Sequence, residues 1–256
     1  MNFFGISNIP RIELQPDECD YIIGNQVFNN SGGEGIICRT GNQDTLYKFF
    51  KDKDTEKVVE MPKNKIKKVK KLYIMNPEFM VQPLRLISVS GHIVGYEETY
   101  NPNFVPLSRY EADRNKKIQA LEVAAEALKY FSTLGITYGD VRADNILINP
   151  ITGEITYCDI DNIRLGRFPI DLMSTCLKSY VSSGGKIDET ADAYMHNILS
   201  IHQLNPLNPN YSDIALLSKS GIFPTEGFNE EAVPIFESMR NPKTFNGQYA
   251  IQYVKK

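Results

Sequence analysis

The sequence predicts an α+β fold, with strands in the first hundred residues and helices in most of the remainder. Two observations indicate this: short apolar runs flank a glycine-rich turn near the N-terminus, and a long stretch near the middle has helical periodicity. At 256 residues, with 42% hydrophobic and 23% charged residues, the chain is long enough to bury a large core and to form two lobes.

The N-terminal part contains a glycine-rich hairpin and a lysine within a strand. The segment Asn30–Ile37 follows the strand-like run Tyr21–Ile23, and glycine there would allow a close backbone approach to phosphates. Thirteen residues after Gly35, the apolar and aromatic run Leu46–Phe50 carries Lys48. A cation in such a strand needs a partner.

Two helices are predicted in the second half of the chain. From Lys116 to Leu134, apolar residues recur on one helical face. They are Ile118, Leu121, Ala125, Leu128 and Phe131. A second helix begins near Asp192 and continues through another apolar run.

The loop after the first helix combines an aspartate with an asparagine five residues later. Phosphoryl transfer requires mainly that a site orient a hydroxyl, hold a metal ion and spread charge. Asp140 could accept the hydrogen bond of an attacking hydroxyl, and Asn145 could offer its amide oxygen to magnesium. Because such short polar patterns recur by chance, the neighbouring segments must show whether this loop is a phosphoryl-transfer site.

A predicted hairpin follows the loop. Strands at Ile146–Ile148 and Ile155–Cys158 flank the turn Asn149–Gly153. Its far end brings Asp159, fourteen residues after Asn145, back beside the loop where the hairpin begins. Two candidate metal ligands would therefore converge.

With these elements in this order, the chain resembles the protein-kinase-like fold, and more particularly compact bacterial Ser/Thr protein kinase-like proteins with a G-G-E-G glycine loop. The resemblance covers roughly residues 20–205. It implies a single kinase-like domain over 1–256 with two lobes. The small, β-rich N-lobe would span about 12–100, and the mainly helical, minimal C-lobe about 101–256.

The resemblance also implies a nucleotide site that takes ATP. Lys48 would hold the α- and β-phosphates, and backbone groups at a hinge would bind adenine. The glycines covering the phosphates would be Gly32, Gly33 and Gly35. The hinge residues would be Glu98, Thr99 and Tyr100.

For the chemistry, the resemblance implies that Asp140 is the catalytic base. Arg142 would stand where a lysine often contacts the transferred phosphoryl group. Asn145 and Asp159 would bind Mg²⁺, with Mn²⁺ as an alternative, and Asp161 could be a third ligand. Asp192 would brace the loop from behind.

The departures from the family pattern bear on regulation and on the partner of Lys48. Tyr138 and Gly139 replace a histidine and an arginine, so a phosphorylated activation loop could not pair with that arginine. We expect a constitutive or differently regulated enzyme. Residues 64–68, where a helical glutamate is expected, contain no acid. The candidate partners of Lys48 are Glu60, Glu56 and Glu97.

Three functions fit the sequence. The first is an ATP- and magnesium-dependent kinase acting on a Ser/Thr hydroxyl of a protein or of itself. The second is a small-molecule kinase, favoured by the missing A-P-E motif and a short C-lobe. The third is a nucleotide-binding pseudokinase acting as an interaction module, favoured by the missing helical glutamate.

Composition and charge limit the classes of partner that the protein is expected to bind. A net charge of −3 gives no general reason to expect nucleic-acid binding. Six lysines lie within Lys63–Lys71, and they predict a solvated helix face or a docking surface for an acidic partner.

No apolar run reaches the ~20 residues that span a bilayer, and the first residues lack signal-peptide features. Four widely spaced cysteines without a C-x-x-C pair predict reduced thiols. We therefore expect a cytoplasmic protein with no membrane partner.

Overall fold

The structure is a computed structural model that describes residues 9–25, 27–29, 35–171, 173–205 and 221–255, with side chains in all of these ranges except 27–29. The chain forms two compact units, Met1–Asn103 and Phe104–Lys256. Within the described ranges, no helix combines the length and the apolar character needed to cross a membrane.

The N-terminal unit is built on one six-stranded sheet with the strand order β1-β5-β6-β4-β3-β2. β1 pairs with β5 in parallel, and the remaining neighbours are antiparallel. The strands are β1 (Arg11–Leu14), β2 (Val27–Asn29), β3 (Gly35–Arg39), β4 (Thr45–Phe50), β5 (Pro83–Val89) and β6 (His92–Thr99).

Helix α1 (Pro16–Asn25) occupies the position where the sequence predicts a strand at Tyr21–Ile23, so that prediction is wrong. The helix begins with a proline and has two acids, Asp17 and Glu18, in its first turn, where they interact favourably with the helix dipole. Cys19 and Ile22, three residues apart, are buried in the apolar cluster of the sheet. Their helical spacing outweighs the local β-propensity.

Helix α2 (Lys63–Met75) contains the lysine-rich run. Lys65 and Lys68 are 2% and 0% exposed, and they share the buried face of the helix with Val69 and Leu72. The prediction of a solvated lysine face is therefore wrong for these two residues. Both lysines are three or four residues from an apolar position of the helix, so they lie on the face that packs against the rest of the unit and are buried with it.

Four α-helices lie in the described residues of the C-terminal unit. They are α3 (Arg114–Thr133), α4 (Thr175–Ser182), α5 (Glu189–Leu204) and α6 (Val233–Met239). The predicted apolar stripe of α3 is buried throughout, which confirms that helix, and α3 packs against α5. The side chain of Asp113 caps α3 by accepting a hydrogen bond from the backbone N–H of Lys116.

Short strands complete this unit. They are β7 (Val105–Pro106), β8 (Ile136–Thr137), β9 (Ile146–Ile148), β10 (Ile155–Tyr157) and β11 (Arg164–Leu165). β9 and β10 form the predicted antiparallel hairpin, and β11 pairs with β8. In the hairpin turn, the Asn149 side chain accepts a hydrogen bond from the N–H of Ile151, and Gly153 has a φ of 77°. The asparagine and glycine therefore have the roles that such turns require.

Candidate functional site

The loop of residues 138–145, here called the Asp140 loop, is fixed from behind by one buried carboxylate. Asp192 on α5 accepts hydrogen bonds from the backbone N–H groups of Tyr138 and Gly139, each at 2.7 Å. Burial raises the pKa of Asp192 to about 7, and the two N–H donors oppose this rise. These contacts confirm that Asp192 braces the loop.

Within the loop, three side chains form one polar cluster. The Nδ2 atom of Asn145 donates to Oδ2 of Asp140 at 2.8 Å and to the Asp140 backbone carbonyl at 3.1 Å. Arg142 Nε lies 3.2 Å from the same Oδ2 and forms an ion pair with it. The structure therefore places Asp140, Arg142 and Asn145 in direct contact.

The second carboxylate oxygen of Asp140 is available as an acceptor. Oδ1 is buried, yet it has no hydrogen-bond partner among the described residues. Burial raises the pKa of Asp140, and the nearby charge of Asp159 raises it further, whereas Arg142, Asn145 and the hydroxyl of Ser174 lower it. A buried oxygen without a partner suits a group that receives the hydrogen bond of a substrate.

Tyr138 joins the Asp140 loop to the strand that precedes Asp159. Its hydroxyl donates a hydrogen bond to the backbone carbonyl of Cys158. Its ring packs edge-on against Tyr157, with 4.7 Å between ring centroids. Asp159 then adopts a left-handed backbone, with φ 58° and ψ 50°, before a 3-10 turn at Ile160–Asn162. Sequence reasoning gave Tyr138 no structural role.

The donor set near Asp140 is compatible with magnesium. The amide nitrogen of Asn145 points towards Asp140. Its amide oxygen points away from Asp140 and lies 3.4 Å from Nη2 of Arg142. The carboxylates of Asp140 and Asp159 are close enough for Asp159 to raise the pKa of Asp140, and a divalent cation would relieve this repulsion. Asp161 is buried in the 3-10 turn. Across the described ranges, no group of three or more His, Cys, Asp or Glu forms a metal cluster.

Gly139 explains why an arginine does not stand before Asp140. Its φ is 76°, and a Cβ atom placed there would lie 2.0 Å from Cδ1 of Ile170 and 3.6 Å from Cδ2 of Leu177. The space that a side chain at position 139 would need is therefore filled by residues of the segment that follows Asp159. No sequence pattern indicated this contact, because Ile170 lies thirty-one residues further along the chain.

In the N-terminal unit, Lys48 lies on β4 opposite Tyr96 of β6. Its Nζ atom is 5.9 Å from the centroid of the Tyr96 ring, and the residue is buried. Gly35 on the neighbouring strand approaches closely, since a Cβ there would lie 3.2 Å from Lys48 Cε. Gly32 and Gly33 lie outside the described residues.

Glu97 does not pair with Lys48. In antiparallel β4 and β6, Tyr47 is opposite Glu97, so Glu97 lies on the other face of the sheet from Lys48. There it forms a two-pronged ion pair with Arg85, in which Arg85 Nη2 donates to Oε1 at 3.0 Å. A one-residue offset along a strand is sufficient to separate the two side chains.

The other two candidate partners of Lys48 also contact different side chains. Glu56 pairs with Lys51 at 2.6 Å, and Glu60 lies 3.4 Å from His92. Helix α2 carries no acid, so it offers no glutamate either. All three candidate pairings of Lys48 are therefore wrong.

The predicted hinge residues lie at the end of β6. The N–H of Thr99 donates to the carbonyl of Gln82 at 2.9 Å, and the N–H of Tyr100 donates to the carbonyl of Asp44 at 2.7 Å. Glu98 is paired with Leu46 of β4 on one side and with Pro83 of β5 on the other. These N–H groups therefore already have acceptors within the N-terminal unit, and the role in adenine binding stays a prediction for the remaining backbone groups.

No family model matches the chain, and no curated protein matches it either. Solved structures do match. A twitchin kinase region from C. elegans (Fn31-NL-kin-CRD-Ig26) is 12% identical with a TM-score of 0.60, and the match covers 86% of this chain and 42% of that one. A C. elegans twitchin kinase fragment, described as an autoregulated protein kinase with immunoglobulin domains, is 14% identical with a TM-score of 0.62, covering 95% and 58%.

These matches show the fold. The chain has an α+β, two-lobe fold similar to that of protein kinases, as the sequence predicts. It spans about half the length of the structures that it matches. The narrower resemblance to compact bacterial kinase-like proteins stays a prediction.

Proposed function

We propose that the protein is a phosphotransferase that uses ATP and magnesium to phosphorylate a serine or threonine hydroxyl of a protein or of itself. The observation that carries the proposal is the geometry of Asp140. One of its oxygens is held by Asn145 and Arg142, and the other is buried without a partner among the described residues. This arrangement orients a carboxylate and leaves one acceptor for an incoming hydroxyl.

The charge around Asp140 also suits phosphoryl transfer. Arg142 is half-exposed and forms its ion pair with Oδ2 of Asp140, so a guanidinium stands beside the carboxylate. A transferred phosphoryl group carries negative charge on its oxygens, and a nearby cation would stabilise it. Asp140 would orient the attacking hydroxyl, and Arg142 would neutralise the charge that moves.

The other candidate site residues would bind the metal ion and the nucleotide. Asn145 and Asp159, with Asp161 as a possible third ligand, would hold Mg²⁺ or Mn²⁺, and the metal ion would neutralise the phosphate charge. Lys48 would contact the α- and β-phosphates of ATP. Gly35 would help to cover the phosphates, as would Gly32 and Gly33, which lie outside the described residues. The enzyme would act in the cytoplasm, where ATP is available and the four cysteines stay reduced.

A second candidate is a nucleotide-binding module without turnover, and α2 favours it. Where a glutamate is expected, α2 buries Lys65 and Lys68 instead. Lys65 Nζ is 5.1 Å from the centroid of the Phe50 ring, and that centroid is 6.5 Å from the Tyr96 ring beside Lys48. In this module the basic helix would contribute to anion binding while catalysis is absent.

The test separates binding from turnover. Binding of a non-hydrolysable ATP analogue, with and without Mg²⁺, is measured by calorimetry for the wild type, Asp159→Ala and Asp140→Ala, and phosphate transfer is measured with ATP. We expect Asp159→Ala to abolish metal-dependent binding and Asp140→Ala to keep binding while losing turnover. Turnover at the wild-type rate in Asp140→Ala would overturn the proposal.

Asp144→Asn is the matched control. Asp144 is an exposed carboxylate of the same loop, and it accepts a hydrogen bond from the Ser108 hydroxyl at 2.6 Å, which an asparagine oxygen can also accept. We expect this variant to keep both binding and turnover. Nucleotide binding without transfer to any acceptor would favour the second candidate, and transfer only to metabolites would identify a small-molecule kinase.

A further inference from the structure

Lys48 shares one face of the N-terminal sheet with two buried aromatic rings. The antiparallel pairing of β4 and β6 places Tyr96 directly opposite Lys48, and Phe50 lies two residues further along β4 on the same face. Tyr96 and Phe50 are 0% and 3% exposed. Their ring centroids are 6.5 Å apart, so the two rings adjoin each other beside Lys48.

Each of these rings carries one lysine ammonium. Nζ of Lys48 lies over the Tyr96 ring, 5.9 Å from its centroid, and Nζ of Lys65 lies over the Phe50 ring at 5.1 Å. Both distances are within the limit of about 6 Å at which the face of a ring attracts a cation. Because Lys48 and Lys65 are both buried, water competes little with this attraction, which is stronger there than at an exposed site.

The second lysine comes from the part of α2 where the resemblance to protein kinases implies a glutamate. Lys65 lies within residues 64–68, and α2 contains no acid. The strand and the helix therefore cannot be joined by an ion pair between β4 and α2. Two buried ammonium groups would also repel each other, and an aromatic ring for each of them offsets part of that cost.

We infer that Tyr96 is a positioning residue, whose ring holds the ammonium of Lys48 in the place that an acid of α2 would otherwise fix. The inference rests on the proposed function, since Lys48 would contact the phosphates of ATP from that place. Tyr96 would act through Lys48 rather than on the nucleotide itself. Phe50 holds Lys65 in the same way, and α2 can thus pack against the sheet with a lysine on its buried face.

The inference depends on the electron density of the ring face rather than on the size of the ring. A cation is attracted by the negative face of the ring quadrupole. Fluorine atoms on the ring withdraw electron density from that face and change the shape of the ring little. A series of increasingly fluorinated rings at position 96 therefore separates the binding of an ammonium from packing.

The test uses the full chain with Tyr96→Phe as the reference, and the same chain with one, three or five fluorine atoms on that phenylalanine ring. The values of kcat and KM for Mg²⁺–ATP are measured with a generic protein substrate, and stability is measured by urea unfolding. We expect kcat/KM to fall stepwise with the number of fluorine atoms, by about tenfold over the series. Stability should fall in the same order.

Two controls separate this effect from a general loss of packing. In a Lys48→Met background the fluorine series should leave stability unchanged, because no ammonium remains over the ring. Tyr47→Leu removes a buried ring from the opposite face of β4, where Tyr47 packs 5.9 Å from Phe49. This variant should lose stability and keep kcat/KM within about twofold of the wild type.

The outcomes separate this inference from the proposed function. If transfer persists and neither kcat/KM nor stability follows the number of fluorine atoms, the inference is overturned and the proposed function stands. If stability alone follows it, the ring holds Lys48 without a role in transfer, which also overturns the positioning role. No transfer by the wild type to any acceptor would overturn the proposed function, and the positioning role with it.

Discussion

Replacement of Gly139 by alanine should destabilise the C-terminal unit through two separate effects. The first is backbone strain, because Gly139 has a φ of 76° and a side chain in this region costs about 1–2 kcal/mol. The second is overpacking, because the new Cβ would lie 2.0 Å from Ile170 Cδ1, and buried clashes of this kind cost about 1–3 kcal/mol. Together they predict a loss of about 2–5 kcal/mol in the free energy of unfolding.

Gly135→Ala is the matched control for the first effect. Gly135 has a φ of 70°, and a Cβ there would meet no atom within 4 Å, so only the backbone strain remains. Urea unfolding of the two variants and the wild type would measure both free energies. The difference between Gly139→Ala and Gly135→Ala then reports the contact with Ile170.

A double-mutant cycle with Ile170→Ala tests the contact directly. The truncation leaves room for the alanine, so the double variant should be more stable than the sum of the single variants predicts, by about 1–3 kcal/mol. Equal stability losses in Gly139→Ala and Gly135→Ala, together with additive effects in the cycle, would refute the packing of Ile170 over Gly139.

Three further predictions follow from the same unit. Burial lowers the pKa of His196 to about 4, below about 6.5 in the unfolded chain, so the unfolded state binds the proton first as the pH falls. Relative to His196→Gln, the wild type should therefore lose about 3 kcal/mol of stability between pH 6.5 and pH 4, measured by urea unfolding at several pH values; parallel curves would contradict this. Tyr138→Phe removes the buried hydroxyl that donates to the Cys158 carbonyl and should cost about 1–3 kcal/mol in the same assay; an unchanged midpoint would disprove it. Arg142→Ala should lower kcat about 100-fold while the Kd of the Mg²⁺–ATP complex stays within about twofold; a loss mainly in binding would assign Arg142 to the nucleotide instead.

Local patterns predicted the parts of the fold that depend on neighbours in sequence. The α3 stripe and the β9–β10 hairpin follow from helical or alternating spacing and from turn residues, whereas the position of Asp192 behind the Asp140 loop was implied by the resemblance to protein kinases. The strand prediction at Tyr21–Ile23 is wrong because three apolar or aromatic residues fit either structure. The acids at the start of α1 and its packing against the sheet decide in favour of a helix.

The sequence could not predict contacts that depend on tertiary packing. The run of six lysines in α2 gave no sign that Lys65 and Lys68 are buried, because the face that packs on the sheet is set by the orientation of the whole helix. Glu97 is excluded as the partner of Lys48 only by strand register. The packing of Ile170 on Gly139 joins segments thirty-one residues apart in the chain.

Transfer of γ-labelled phosphate from ATP with Mg²⁺, compared between the wild type and Asp140→Ala, tests the central claim most directly. Intact-mass analysis of every protein present distinguishes an added phosphate from an added nucleotide. The account predicts protein-bound phosphate with the wild type and almost none with Asp140→Ala. Equal transfer by both proteins, or no transfer by the wild type despite magnesium-dependent ATP binding, would contradict it.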